Sequence, residues 1–235
     1  MKAKKAVKRI VVIILILLSL FLIWTAGIRL KKYMDLNTDI DRENILEHIT
    51  FDEEISDSQR NHIKGFLQRV DKQSLNFVVN SGGKIVVIFN EDLDIREYLD
   101  QHYGYNLMET TYNKIQGVTV PYGDIFGNVY KADVIIACDY VVIGEIIHEF
   151  GHVYDITHGD ISSTPEFQEI YNNRENINKT VLKQVITSKD YISSTSREYF
   201  AELYKQYSRG KFCIAGHSEE KDYLIEYFDS LSIQR

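Results

Sequence analysis

Cysteine is almost missing from this chain. Only Cys138 and Cys213 occur in 235 residues, so one disulfide is the most it can form, and a Cys-rich framework or a Cys-built zinc site is excluded. Methionine is just as scarce. Met1, Met34 and Met108 are the whole set, which rules out any site that needs a methionine turn in the second half of the chain. Acidic residues are absent from residues 1–32, which hold eight Lys/Arg, so 19 bases face all 34 acids in the remainder. The formal net charge of −7 hides that split. A strongly acidic domain argues against nucleic acid as a partner and suits basic or neutral peptides. No segment repeats and none is of low complexity. What remains, with 44% hydrophobic residues, is enough for one globular domain and an appendage.

The appendage is N-terminal. Residues 10–28 are apolar apart from Ser19, Thr25 and Gly27, about the length that crosses a bilayer as a helix. Five bases precede this run and three follow it, which favours a cytoplasmic N-terminus and an extracytoplasmic remainder. A cleaved signal peptide, and hence a secreted protein, is the rival, but no clear Ala-x-Ala site follows. The expected organisation is a basic cytoplasmic segment at 1–9, a membrane anchor at 10–28, a polar stalk at 29–56 and a folded domain at 57–235.

Within that domain, Ser56, Asp57 and Ser58 offer caps to a helix carrying Ile63, Phe66, Leu67 and Val70 at helical spacing. Asn80-Ser-Gly-Gly83 reads as a turn between two strands, Phe77–Val79 and Ile85–Phe89. A short helix is expected over Asp94–His102, stopping at Gly104. Lys114–Val120 and Val129–Ala137 are further strands, the first marked as a sheet edge by Gly117 and Pro121. Thr164-Pro165 caps a helix. Others are expected near Ile177–Ile186, from Ser194–Ser196 to Gly210, and from Ser218 to about Leu231. The fold class is therefore α+β, a small mixed or antiparallel sheet followed by a helical C-terminal part, with one N-terminal transmembrane helix.

The most informative stretch is Gly144–Asp155, which contains His148-Glu149-Phe150-Gly151-His152. Val142, Ile146, Phe150 and Val153 form one apolar row and Ile143, Ile147 and Tyr154 another, so this helix should be buried. Histidines four apart share a helix face and can offer two neutral imidazoles to one Zn²⁺, while Glu149 can reach a water in an open coordination position. A third ligand is then needed. His158 has the spacing of zinc proteases that add a third histidine and a methionine turn, but no methionine follows the helix. Glu198 fits better, with Glu202 one turn on to hydrogen-bond the outer nitrogen of a ligand histidine. Blander readings exist for both: Thr195-x-x-Glu198 has capping-box spacing, and Glu202 near Lys205 describes a solvated face.

At these residues the chain resembles the catalytic domain family of anthrax lethal factor and the Pro-Pro endopeptidases. The resemblance rests on His148–Asp155, on Glu198-Tyr-Phe-Ala-Glu202, and on Tyr191, seven residues before Glu198. It implies His148, His152 and Glu198 as zinc ligands, Glu149 as general base, Tyr191 as stabiliser of the oxyanion and Glu202 as support for a ligand. It further implies that the edge strand holds an extended peptide, here along Gly117, Val118, Thr119 and Val120. A membrane segment is foreign to a secreted toxin, and no receptor-binding or translocation domain is recognisable, so substrate identity does not carry over. The expectation is a membrane-anchored, extracytoplasmic zinc endopeptidase acting on protein or peptide. The alternatives are a zinc protease ligated by His158 and a non-catalytic zinc-containing binding module.

Overall fold

The computed structural model describes residues 38–51, 55–89, 95–104, 117–137, 144–182, 194–210, 212 and 218–231, with Ser19 and Ile23 besides. Two compact units are present, Met1–Thr38 and Asp39–Arg235. The candidate membrane segment 10–28 thus lies outside the described residues except at two positions. Among the described residues no helix is long and apolar enough to cross a membrane.

The larger unit begins earlier than the expected boundary at residue 57. Asp41 caps a 3-10 segment, Arg42–His48, by accepting from Glu43 N–H, and strand β1, Ile49–Phe51, follows it directly. Ile45, Ile49 and Ile55 are all buried. The described residues of this stretch, 39–51 and 55–56, thus belong to the larger unit and bury apolar side chains in it. Their polar residues obscure three apolar anchors, of which Ile49 is placed by the pairing of β1 with β2.

Helix α1, Asp57–Leu67, starts at a full capping box made by Ser56 and Gln59, and helix α2, Lys72–Asn80, starts at Asp71, whose carboxylate accepts from Ser74 N–H. Phe77–Val79, expected as a strand, are the last turns of α2. The Asp71 cap, worth about 1 kcal/mol, and the burial of Leu75 and Val78 outweigh the β preference of two valines. The turn at Ser81–Gly83 then leads into β2, Ile85–Ile88, and α3 follows at Ile95–Tyr103.

The sheet is completed by β3, Gly117–Gly123, and β4, Val129–Ala137. Its order is β1-β2-β4-β3, with β1/β2 and β2/β4 parallel and β3/β4 antiparallel. It is a mixed sheet. β2 and the second part of β4, Val134–Ala137, are continuous apolar runs because both of their faces are covered. Val86, Ile88, Val120, Ile135 and Ala137 pack with Ile95 and Leu99 of α3 on one face. β3 runs through Pro121 to Gly123, residues 114–116 of the expected strand lie outside the described residues, and among the described strands β3 is one of the two outer ones, with β1 at the other side.

The other face receives α4, Glu145–Thr157, whose residues Ile146–Asp155 are buried without a break. After it come a 3-10 turn, Ile161–Ser163, and helices α5, Pro165–Asn172, α6, Arg174–Thr180, α7, Ser196–Ser208, and α8, Glu219–Ser230. Gly151 lets α7 lie directly on α4, since a Cβ there would meet Ala201 Cα at 2.8 Å. Phe167, Phe200 and Phe228 fill the space behind α7 as edge-on and tilted pairs. Burial of each such ring contributes about 1.5–3 kcal/mol. The two helices that carry the site thus touch at Gly151 and Ala201, and α7 is backed by Phe167 and Phe228.

Candidate metal centre

Helix α4 presents His148 and His152 on one side, one turn apart, and α7 brings Glu198 to meet them. His148 Nε2 lies 3.2 Å and His152 Nε2 3.5 Å from Glu198 Oε2. A tetrahedral zinc with bonds of about 2.0–2.2 Å separates its ligands by about 3.3–3.5 Å, so these spacings are those of a ligand triangle. The three ligand atoms lie within 4.8 Å of one another, and all three residues are buried or half-buried. The donor set therefore fits a divalent ion of zinc's size and preference for nitrogen and carboxylate oxygen.

The capping motif at the start of α7 is only half used. Thr195 Oγ1 accepts from Glu198 N–H at 3.2 Å, but the Glu198 carboxylate turns to the histidines. The backbone thus starts the helix while the side chain stays free for the site.

Behind the triangle is a second layer of charge. Glu202 Oε2 lies 3.4 Å from His148 Nδ1, within ion-pair range but without hydrogen-bond geometry. The same oxygen is 2.9 Å from Lys205 Nζ, and Glu202 Oε1 accepts from Gln206 Nε2 at 2.6 Å. Lys205 Nζ also donates to both oxygens of Glu145 on α4, at 2.9 and 3.1 Å. Glu202 and Lys205 are 2% and 7% exposed, so this is a buried network and not the solvated face that their spacing also allows. Glu145 lies on the polar side of a helix that is otherwise apolar, a position that calls for a partner, whereas the roles of Lys205 and Gln206 are not legible in the sequence.

The electrostatics favour a cation between the carboxylates. Burial opposes charge on His148, yet Glu198 and Glu202 overcome it and push its pKa up to about 10. Burial would raise Glu198, but the two imidazoles hold it well below the usual carboxylate range. Glu202 is likewise held down, to about 2, by Lys205 and His148 against its burial. Such a field suits a proton on His148 in the free site and a metal ion in its place.

Glu149 sits beside the triangle, 5% exposed, its pKa raised by burial and lowered in part by the two histidines. Thr119 on β3 reaches its carboxylate. Tyr191 lies outside the described residues. His158 is not part of the cluster. It ends α4, with Nδ1 2.9 Å from Tyr154 O, Nε2 3.0 Å from Gln73 Oε1, and its ring stacked on Tyr154. Asp155, where the histidine-rich zinc proteases carry glycine, is buried within the helix and accepts from Ser162 N–H and Oγ–H at 2.6 and 2.7 Å. The chain reverses later, at Gly159 and Asp160, both with positive φ.

The family description "anthrax toxin lethal factor, N- and C-terminal domain" matches residues 37–211. The chain belongs to the anthrax toxin lethal factor family. It is thereby a metallopeptidase by class. Among solved structures it is similar to the Pro-Pro endopeptidase PPEP-2 from Paenibacillus alvei, with a TM-score of 0.52 and 20% identity, covering 80% of this chain and 98% of that one. At that identity the likeness is one of fold. No curated protein sequence matches the chain. The lethal factor match starts at residue 37, which agrees with a folded body beginning at Asp39.

Proposed function

We propose that this lethal factor family member is a zinc-dependent endopeptidase, anchored in the cell membrane by residues 10–28 with its catalytic domain outside the cytoplasm. The observation that carries the reading is the convergence of His148 Nε2, His152 Nε2 and Glu198 Oε2 at the spacings of a tetrahedral ligand set, with a buried glutamate beside them. Zinc held there would supply a Lewis acid that lowers the pKa of a coordinated water towards neutrality and polarises a peptide carbonyl.

The remaining work falls to the chain's own groups. Glu149 takes a proton from the attacking water and returns it to the leaving amine. Glu202, fixed by Lys205 and Gln206, keeps the His148 ring oriented so that Nε2 faces the ion. Tyr191 is assigned, through the family resemblance alone, to donate to the developing oxyanion. The outer edge of β3 would receive an extended segment of the substrate as an added strand.

Incubation of the full-length chain in detergent with a peptide library tests the reading. Cleavage detected by mass, lost with a zinc chelator and restored by zinc, is the expected result, and no cleavage under any metal loading would defeat it. The anchor is tested separately. Protease added to intact cells should degrade the domain while the mature protein keeps its N-terminus, because five bases before residue 10 outweigh three after residue 28. Protection of the domain, or a new N-terminus near Gly27, would reverse that assignment.

A further inference from the structure

The edge strand β3 does more at the site than border it. Val134 N–H donates to Lys84 O at 2.8 Å, so the backbone groups of Val134 face β2, and those of its neighbours Asp133 and Ile135 face β3. Asp133 pairs with Val120 and Ile135 with Val118. The rungs between β3 and β4 therefore use Val118 and Val120, and the N–H and C=O of Gly117 and Thr119 point away from β4, to the side on which no strand pairs among the described residues. Pro121 falls in the same outward set, where its missing N–H leaves no rung unmade.

The side chains of this outward set share one face, and that face meets α4. Thr119 Oγ1 lies 2.8 Å from Glu149 O and 3.0 Å from Glu149 Oε2, so its single proton is shared between the backbone carbonyl and the carboxylate. Two residues earlier, a Cβ on Gly117 would stand 2.5 Å from Glu149 Oε1 and 3.0 Å from Cδ. Glycine leaves the room that one carboxylate oxygen occupies, and the threonine hydroxyl holds the other.

We propose that Gly117 and Thr119 form the seat of the Glu149 carboxylate, with Thr119 as a positioning residue whose hydroxyl aims the base while its backbone stays free to pair with a substrate strand. This rests on the peptidase reading above and adds to it. Strand addition at Thr119 and placement of the base then depend on one residue, so a peptide that pairs in register finds the proton acceptor already set. Of the four residues expected to bind substrate, Gly117 and Thr119 would do so through the backbone alone. Val118 and Val120 are turned to the opposite face, where Val120 is buried in the core under α3 and Val118 packs against it.

Thr119→Val tests this, since valine keeps the shape, the β-branch and the backbone N–H but not the hydroxyl. Loss of a hydrogen bond to a charged group should lower kcat about 10- to 100-fold with KM changed less than about twofold. Zinc content and Tm should hold, and Thr119→Ser should recover most of the loss. In the Glu149→Gln background, Thr119→Val should neither reduce residual turnover further nor weaken peptide binding measured by fluorescence anisotropy. Unchanged kcat in Thr119→Val, a loss confined to KM, or an equal loss in the Glu149→Gln background would each overturn the inference while leaving the peptidase reading intact. A wild-type chain that cleaves nothing would remove both.

Discussion

Glu149→Gln is expected to lose about 10²–10⁴-fold or more of peptide turnover, the usual contribution of a positioned proton acceptor, while zinc content stays that of the wild type. The amide has almost the same shape as the carboxylate, so neither the Gly117 gap nor the contact with Thr119 is closed off. What it lacks is a site that a proton can occupy at neutral pH. Stability should not fall, and Tm should be equal or higher, because the carboxylate is buried and its charge is opposed by desolvation. Loss of function with unchanged or improved stability separates a chemical role from a packing role. Turnover near wild type in a zinc-loaded variant would remove Glu149 as the base.

The parts of this architecture that could be read from sequence are those whose cause is local. The period of apolar residues around His148 marked α4, and the run Val129–Ala137 gave β4 with the bounds it has in the structure. Thr164-Pro165, Thr195 and Ser218 marked helix starts because each side chain accepts from the N–H three residues on. The parts that differ are decided mainly by packing. Phe77–Val79 looks like a strand on β preference alone, and it is the burial of Leu75 and Val78 that keeps it in the helix capped by Asp71. Ile45, Ile49 and Ile55 are spaced too widely to signal an element, and the place of Ile49 follows from its pairing with Ile85, 36 positions away.

The site divides in the same way. His148, Glu149 and His152 follow from a spacing on one helix. Glu198 could be named, but only the crossing of α4 and α7 at Gly151 and Ala201 turns it from a capping residue into a partner of the histidines. The same crossing buries Lys205, which by spacing alone belongs on a solvated face. Thr119 and Glu149 are 30 residues apart and joined by no pattern, so the seat of the base had no sequence signal.

Glu198→Ala is expected to bring the metal content of the purified chain from about one zinc to near zero, whereas His158→Ala should retain it. The argument is geometric. Glu198 Oε2 is the atom that both imidazole Nε2 groups face, and its loss leaves two neutral ligands where a catalytic zinc takes three from the protein. The fold should survive, because the Thr195 cap uses the backbone N–H of residue 198, which alanine keeps. His158 by contrast spends Nδ1 on Tyr154 O and Nε2 on Gln73, so its removal should cost stability, about 1 kcal/mol, and no zinc. Acid should act on the wild type as the first substitution does. A metal entering the site must displace the proton that Glu198 and Glu202 help His148 to hold, with a pKa pushed up to about 10, so apparent affinity rises with pH towards that value and falls below it. Metal analysis after gel filtration across a pH series reads both effects at once. Full zinc in Glu198→Ala together with loss in His158→Ala would move the third ligand to His158 and require α4 to end elsewhere than at Thr157.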